Sequence, residues 1–295
     1  MGYTATVLAD SIGPNKIRLT TLSVEIPRIV LAELNTHRVF SRNSASSRAI
    51  PVEKMIARVV DDPFIPDAWG RNRPGMQATE DLSPDEAEAA RADWLAARDA
   101  AVDATRRLME RGVHKQIVNR LIEPFLWTTV IITATEWDNF FSLRRHKDAQ
   151  PEIRRAADAM WTAMGESTPT ALELGDAHLP LCPDLPVLRA EGYSLEIICK
   201  IAAARCARVS YLTHEGKRSP PADLVLANRL RLSGHMSPFE HVAFASDSLD
   251  WSGNFRGWCQ YRKDLPDEAV FPGEPDGPQT LTQRWIRWTG QSRLS

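Results

Sequence analysis

The chain has 295 residues, and its 36 Lys and Arg nearly balance its 38 Asp and Glu, for a formal net charge of −2. This balance argues against a nonspecific nucleic-acid binder, which carries a broad basic field, so no stable nucleic-acid partner is expected. The four cysteines have no CxxC spacing, so neither a metal site nor a disulfide framework is expected. No secretory signal is recognisable, and no apolar run is long enough to cross a bilayer. These features predict a cytoplasmic protein in a reducing compartment.

In the first third of the chain the patterns indicate two strands followed by two helices. Residues 17–20 and 22–26 alternate apolar and polar side chains, as strands do, and a largely buried helix is expected over 27–37. Residues 61–84 are rich in Pro, Gly and charge, which predicts a long loop. Ser83 and Glu86 then form a capping-box pattern, and the helix that they begin should stop at Gly112.

The rest of the chain is predicted to be mainly helical. The apolar content of residues 114–164 indicates a central, buried helix pair. Ser237 and Glu240 form a second capping-box pattern, which predicts the start of another helix. Further helices are expected over 195–210, 221–232 and 281–288. No domain boundary is recognisable, so a single domain over 1–295 is expected, with loop insertions near 61–84, 168–193 and 264–280.

One short segment concentrates groups that bind anions. Residues 36–48 contain three arginines, a histidine, an asparagine and four serines, directly after the predicted buried helix. Burying so many polar groups costs free energy unless each finds a partner, and phosphate groups would supply partners for arginine and serine. A solvated, serine-rich helix end is the alternative on composition alone.

Three other groups of residues could carry chemistry. Asn139 and Arg144 flank an apolar helix, where the arginine could instead complement the helix dipole. The block from Gly234 to His241 could point helix-start amides at an anion, or could be a plain capped helix with surface histidines. Two arginines, Arg205 and Arg208, are expected to be solvated charges at a helix end.

No protein nucleophile is recognisable. The serines near His37 have no GxSxG pattern and no orienting acid, and no cysteine has a clear histidine partner. Walker and GxGxxG loops are also missing from the sequence. This points to a bound cofactor that performs the difficult step while the protein supplies orientation and charge.

Several of these blocks together resemble the flavin-dependent thymidylate synthases. That family has an Arg-His-Arg, seven residues, Ser, and then Arg signature, which Thr36-His37-Arg38, Ser46 and Arg48 resemble. Its Gly-His-x-Ser/Thr-Pro-x-Glu-His block is similar to residues 234–241. Its Ala-Ala-Arg-Val-Ser block is similar to residues 204–210, and its Asn-x-x-x-x-Arg block to residues 139–144. The Arg-His-Arg block comes last in typical members but first here, which suggests a circular permutation or a duplicated element.

The resemblance implies an α+β fold with helices packed on a twisted, antiparallel-rich sheet, assembled as a homotetramer with active sites between subunits. It also implies transfer of a one-carbon unit from methylenetetrahydrofolate to C5 of dUMP, with FAD as cofactor and NADPH as reductant. The residues that would hold FAD are His37, Arg38, Asn139, His235, Ser237 and Glu240. Ser46, Arg48 and Arg120 would bind the nucleotide phosphate. Arg144 would contact the pyrimidine and stabilise the negative charge that develops there, which makes it the candidate catalytic residue.

Three positions depart from the family pattern. Thr36 replaces the first arginine of the signature, Ser44 a common glutamate, and Glu33 a common glutamine. Glu33 and Ser44 would lie near the substrate, and a carboxylate can accept from the exocyclic amine of cytosine. These departures leave open that the substrate is a different pyrimidine deoxynucleotide such as dCMP, or that the product is hydroxymethylated. A non-catalytic nucleotide-binding homologue is a further alternative.

Overall fold

The largest sheet of the protein is five-stranded and mostly antiparallel. The computed structural model describes residues 2–213, 216, 219–265, 268, 270–271 and 279–280. The strands of this sheet are β1 (Thr4–Ile12), β2 (Arg18–Pro27), β3 (Ser41–Ser44), β4 (Trp127–Ala134) and β5 (Thr170–Ala171). Their order is β3-β4-β2-β1-β5, and within it the β1–β5 pair is parallel. The sheet and the helices packed on it confirm the predicted α+β class.

Helices cover both faces of this sheet, and some of them pack mainly on other helices. The helices are α1 (Leu31–Asn35), α2 (Val52–Asp61), α3 (Pro84–Glu110), α4 (Lys115–Val118), α5 (Asp138–Arg144), α6 (Pro151–Glu166), α7 (Leu185–Ala190), α8 (Leu195–Ala207), α9 (Pro220–Leu232) and α10 (Tyr261–Asp264). On one face, α6 contacts β1 and β2 and closes a core that contains Val130 and Ile132. On the other face, Ile131 packs against Cys206 and Val209 at the end of α8. Strand β4 is therefore buried on both sides.

The remaining strands are short. They are β6 (Ala177–His178), β7 (Ala243–Ala245), β8 (Trp251–Ser252), β9 (Phe255–Arg256), β10 (Trp258–Gln260), β11 (Val270–Phe271) and β12 (Gln279–Thr280). Strands β10, β7 and β6 form a three-stranded sheet, while β8–β9 and β11–β12 are two-stranded. The predicted loops near 168–193 and 264–280 thus contain short strands, and the first also contains α7. The predicted helix over 281–288 lies outside the described residues.

Several predicted elements are confirmed. Strand β2 covers both predicted strand segments, and a 3-10 turn (Arg28–Val30) leads into α1 within the predicted helix. At the start of α3 the Ser83 hydroxyl accepts from the Glu86 amide, and the Glu86 carboxylate accepts from the Ser83 amide at 2.9 Å. Gly112 follows with a φ of 77°, a conformation that glycine adopts without strain. Helix α9 also lies where it was expected.

The predicted helix pair over 114–164 is wrong for its middle part. Residues 127–134 form β4, the strand that pairs with both β2 and β3. The segment runs Thr128, Thr129, Val130, Ile131, Ile132, Thr133, and such β-branched side chains fit a pleated strand better than a helix. A strand buried on both faces has a continuous apolar run, which cannot be told from a buried helix by periodicity.

The capping box predicted at Ser237 does not form. Residues Ser237–His241 make a short 3-10 turn without a side-chain cap, and the chain enters β7 two residues later. The Glu240 carboxylate is paired with Arg262 instead of reaching back to a helix start. The Ser-x-x-Glu pattern is present, but the Glu240–Arg262 ion pair and the strand that follows leave no helix for it to cap.

The prediction of solvated charge at the end of α8 is wrong for Arg205. Its side chain is 2% exposed and donates to both carboxylate oxygens of Asp184, at 2.6 and 2.8 Å. It also donates to Asp223 at 2.9 Å, and Asp223 accepts in turn from Arg208. A buried guanidinium needs such partners because desolvation of an unpaired charge costs several kcal/mol. The network joins α8 to α9 and to the segment before α7.

Candidate functional site

Two clefts collect most of the predicted site residues. The first cleft has a volume of about 600 Å³ and lies between the turn after β3 and helices α8 and α9. Its polar lining includes Asn43, Ser46, Arg48, His114, Arg229 and His235. None of the described lining residues carries a carboxylate, so two guanidinium groups face the cleft without an acidic neighbour on its walls. Such a cleft attracts an anion.

The walls of the first cleft come from distant parts of the chain. Ser46 lies in the turn after β3, and its amide donates to the Ser210 carbonyl at 3.1 Å, next to the end of α8. Arg229 projects from α9, and the His235 ring is held by the Ser233 hydroxyl at 2.9 Å. Tyr211 is 53% exposed and lines the same cleft with two leucines of α9, an apolar surface suited to a planar ring.

The second cleft has a volume of about 490 Å³ and is formed by α5 and the segment after α1. Its lining includes Thr36, His37, Arg38, Glu136, Asn139 and Arg144. Four residues that sequence analysis assigned to cofactor or substrate therefore lie together here. Arg38 has no ion pair among the described residues, and its charge lowers the pKa of Arg42, after the larger effect of burial.

His37 and Arg144 are in direct contact in the second cleft. Arg144 Nε donates to His37 Nε2 at 2.9 Å, and Arg144 Nη2 donates to the Thr36 hydroxyl at 3.1 Å. Burial, followed by the charges of Arg144 and Arg42, lowers the pKa of His37 to about 4. His37 is therefore neutral near pH 7, with its proton on Nδ1, and acts as an acceptor that orients Arg144.

The presence of Thr36 where the family signature has an arginine has a structural consequence. The Thr36 hydroxyl donates to the Glu33 carbonyl at 2.6 Å while accepting from Arg144. The position thus loses a cation but gains a short side chain that anchors the Arg144 guanidinium. Three polar contacts then hold Arg144, counting the 3.4 Å bond from its Nη2 to the Glu33 carbonyl.

Four predicted site residues line neither cleft. Arg120 Nη1 donates to Glu123 at 2.8 Å, and Glu240 is paired with Arg262. Ser44 lies on β3, paired with Val130. The Glu33 Oε2 atom is buried and has no hydrogen-bond partner among the described residues. Within one chain, these four side chains are not brought together with the others.

Sequence reasoning missed several residues of the first cleft. His114, Gln116, Tyr211 and Arg229 all contribute to its lining. The helix stop at Gly112 was a usable signal for His114, because it places His114 in a short connection between helices, and connecting segments carry many binding residues. No local pattern distinguishes Arg229 from Arg231, the other arginine of α9.

The second histidine of the 234–241 block is a core residue. His241 Nδ1 bonds Thr133, which bonds Thr21, which bonds His178 Nε2, at 2.8, 2.7 and 2.8 Å. The His178 Nδ1 atom contacts the Ser11 hydroxyl at 2.9 Å. Burial lowers the pKa of both His178 and His241 to about 3, so both rings are neutral. The alternative of surface histidines is wrong for His241.

The described residues contain no group of three or more His, Cys, Asp or Glu placed to hold a metal ion. A search of the same residues finds no helix with the length and apolar character needed to span a membrane.

Comparison with known proteins places the chain in a family. The model described as thymidylate synthase complementing protein matches residues 17–170. Two crystal structures of the UMP/dUMP methylase PolB from Streptomyces cacaoi are similar, bound with 5-Br UMP (19% identity, TM-score 0.46) and with 5-Br dUMP (18%, TM-score 0.47). Each comparison covers 56% of this chain and 89% or 90% of the other. No curated protein matches. Since the family model spans more than half of the chain, the protein belongs to the thymidylate synthase complementing protein family.

Proposed function

We propose that the protein is a flavin-dependent nucleotide methyltransferase of the thymidylate synthase type. It would transfer a one-carbon unit from methylenetetrahydrofolate to C5 of dUMP, with FAD as cofactor and NADPH as reductant. The observation that carries the proposal is the first cleft, where Ser46 and Arg48 face Arg229 without a carboxylate on the described walls. Family membership supports the reaction type.

The first cleft fits the phosphate of a nucleotide. A guanidinium such as that of Arg48 matches phosphate oxygens in bidentate geometry, and the Ser46 hydroxyl can donate a further bond. Arg229 would neutralise the remaining charge from the opposite wall. Tyr211 and the leucines of α9 would pack against a ring of the ligand.

The second cleft fits part of a flavin dinucleotide. Burial lowers the pKa of Arg42, repulsion by Arg38 lowers it further, and a phosphate group beside Arg38 would relieve that repulsion. His37, Arg38 and Asn139 would hold FAD there, with His235 and Ser237 contributing from the first cleft. When bound, FAD would supply the hydride chemistry for which the chain has no recognisable group of its own. Glu240 would act indirectly, through its ion pair with Arg262.

Arg144 would stabilise charge on the substrate. Its guanidinium is held by neutral His37 and by Thr36, so its orientation is set before a ligand binds. A preorganised cation beside a pyrimidine lowers the energy of negative charge that develops on the ring. His37 would therefore orient Arg144 instead of adding a charge of its own.

The division into two clefts supports active sites between subunits. Ser46 and Arg48 line the first cleft, whereas Arg144 lines the second. If one nucleotide contacts all three residues, then its phosphate and its base can be bound by different copies of the chain. This supports a homotetramer in which the sites lie at subunit contacts.

A second candidate is the corresponding reaction on dCMP, or formation of a hydroxymethyl product. It rests on Glu33, whose buried Oε2 has no hydrogen-bond partner among the described residues, although Glu33 lines neither cleft within one chain. The exocyclic amine of cytosine would provide a donor for this oxygen. The uracil carbonyl offers no such donor at the same position.

The first test combines spectroscopy with turnover. The purified protein should show flavin absorption bands, or gain them with FAD, and dUMP should shift them. With methylenetetrahydrofolate and NADPH it should convert dUMP to a methylated product detected by mass. Arg48→Ala and Arg229→Ala should each raise the dUMP Kd by about tenfold, the loss of one charge-assisted bond. Arg107→Ala, an exposed arginine of α3 that lines neither cleft, is the matched control.

The other outcomes separate the alternatives. Conversion of dCMP but not dUMP would favour the second candidate, and an added hydroxymethyl mass would identify that product. Nucleotide binding without flavin binding or turnover would mean a non-catalytic homologue. Salt-sensitive binding of duplex DNA in place of nucleotide binding would contradict both candidates.

A further inference from the structure

The turn over residues 46–50 carries Ser46 and Arg48 into the first cleft. A turn of this kind has few backbone bonds of its own; one joins the Ala49 amide to the Ser46 carbonyl at 2.9 Å. Exposed turns are usually mobile, and a mobile turn loses entropy when it binds a ligand. Side chains from the segment between α3 and β4, however, hold this turn at several points.

Asn119 makes the most buried of these contacts. Its side chain is fully buried, and its Nδ2 donates to the carbonyls of Ser47 at 2.6 Å and Ile50 at 3.0 Å. Its Oδ1 has no hydrogen-bond partner among the described residues. Burying an amide side chain with an unsatisfied oxygen costs free energy. The two hydrogen bonds that Asn119 donates to backbone carbonyls offset this cost.

Glu123 makes the second contact. Its Oε1 accepts from the Ser47 hydroxyl at 2.5 Å, from Arg120 at 2.8 Å and from Arg28 at 3.4 Å. Two guanidinium groups therefore hold the carboxylate in place while it accepts from Ser47. Lys115 adds a bond to the Ala49 carbonyl at 2.9 Å.

We propose that Asn119 and Glu123 are positioning residues that hold the turn 46–50 in its ligand-binding conformation before a nucleotide arrives. Neither residue lines the first cleft. They act through Ser47, which lies between the two residues that face the ligand. The ligand class is a phosphate monoester, so this inference rests on the proposed function. Arg120 then belongs to the same assembly, joined to the turn through Glu123.

Preorganisation predicts a selective effect on nucleotide affinity. Without the Glu123–Ser47 bond the turn must be ordered when the phosphate binds, and this lowers affinity. If Asn119 and Glu123 had only a structural role, their loss would lower thermal stability and weaken the binding of every ligand in parallel. FAD provides the comparison, because its main contacts are expected in the second cleft.

The test uses the full-length protein with FAD and dUMP as probes. Glu123→Ala and Ser47→Ala should each raise the dUMP Kd by about tenfold. The double variant should be no worse than Glu123→Ala alone, because Glu123→Ala already removes the bond to Ser47 together with those to Arg120 and Arg28. Glu123→Gln keeps an oxygen that can accept from Ser47 and should stay within about threefold of wild type. The FAD Kd should change by less than about twofold in all variants.

Hydrogen exchange of the ligand-free protein decides the proposal independently of catalysis. The amides of Ser46 and Ala49 should be protected in wild type and should exchange faster in Glu123→Ala, while those of β4 stay protected. Unchanged exchange in the turn would overturn the proposal, as would equal losses of dUMP and FAD affinity. If wild type binds no dUMP, the proposed function fails, but exchange in the turn still supports or refutes the positioning role.

Discussion

Neutral His37 determines where the Arg144 guanidinium points. The histidine is buried against Phe140, with ring centroids 4.9 Å apart, and its Nε2 can only accept while Nδ1 carries the proton. A protonated ring would lose this acceptor and repel the arginine. Because the pKa of His37 is held near 4, the contact persists throughout the physiological range.

Removing this acceptor should affect turnover more than binding. If Arg144 acts on the substrate as proposed, we expect His37→Ala to lower kcat with dUMP by about tenfold, since misorientation of such a cation costs on the order of 1–2 kcal/mol. His37→Gln, which retains an acceptor oxygen, should recover part of the loss. Steady-state kinetics with dUMP check this, and an unchanged kcat in His37→Ala would contradict the orienting role.

The two core histidines predict a pH dependence of stability. The pKa of His178 and His241 is about 3 in the fold and about 6.5 in an unfolded chain, so the unfolded state binds more protons between these values. Their stabilising contribution is complete above about pH 6.5 and is lost as the pH falls toward 3. As the pH falls through that window, each histidine should reduce the free energy of unfolding by up to about 1.4 kcal/mol per pH unit.

Urea unfolding at about pH 7.5, 6.5 and 5.5 measures how steeply the free energy of unfolding depends on pH. His178→Gln should flatten this dependence, because one of the titrating groups is gone. The pKa of Asp10 is lowered by Arg18, Ser167 and Thr20 against an opposing effect of burial, so its contribution is lost only at lower pH. A free energy of unfolding that stays constant from pH 7.5 to 5.5 would mean that the buried rings are not the neutral species.

At the scale of elements, α8 and α9 form one wall of the first cleft and are joined by a buried charge network. Arg205 on α8 and Asp223 on α9 are both almost fully buried, at 2.9 Å from each other. Leaving one partner of such a pair without the other typically costs about 3–5 kcal/mol. The position of Arg229 therefore depends on this pair.

We expect Arg205→Ala to lower the free energy of unfolding by about 3 kcal/mol or more, measured by urea titration. Arg208→Ala is the matched control and should lower the free energy of unfolding much less. The Arg208 side chain is partly exposed, and its partner Asp223 would still be paired with Arg205. Similar losses in the two variants would mean that burial of the Arg205 charge is not the source of the stabilisation.

The sequence predicted those elements whose signals are local. Helix α3 has its capping box and stop glycine, and β2 has its alternation, so neither depends on distant residues. Strand β4 and the turn at Ser237 could not be predicted in this way. The first is decided by helices packing on both faces, and the second by the pairing of Glu240 with Arg262.

The site was predictable to a different degree. The residues around His37 and Ser46 are contiguous in sequence, so the family resemblance could assign them to the candidate site. Arg229 and His114 enter the first cleft only because the fold brings α9 and the start of α4 to the turn after β3. The contact between His37 and Arg144 likewise joins residues far apart in the chain, so no spacing rule predicts it.

At the scale of the whole molecule, the separation of Arg48 and Arg144 predicts complementation between subunits. Arg48→Ala and Arg144→Ala should each be nearly inactive alone. If each active site takes one residue from each of two chains, a co-expressed mixture should recover part of the activity, because some sites receive both wild-type residues. The recovery is measured as dUMP turnover per total protein.

Two controls accompany this experiment. Gel filtration with light scattering reports the oligomeric state, which should be a tetramer in both variants. The second control mixes the double variant Arg48→Ala/Arg144→Ala with either single variant. This mixture should recover less dUMP turnover than the mixture of the two single variants. No recovery in a mixture shown to contain hybrid oligomers would mean that both arginines act from the same chain.

The distance along the chain between the two walls of the first cleft has a consequence for synthesis of the protein on the ribosome. The amide of Ser46 bonds the carbonyl of Ser210, so the two walls of the first cleft are translated more than half a chain apart. At about 5–20 residues per second, the nascent turn waits on the order of ten seconds or more for its opposite wall. Its Arg48 remains open to cellular anions during that interval, and the first cleft is complete only after α9 has emerged.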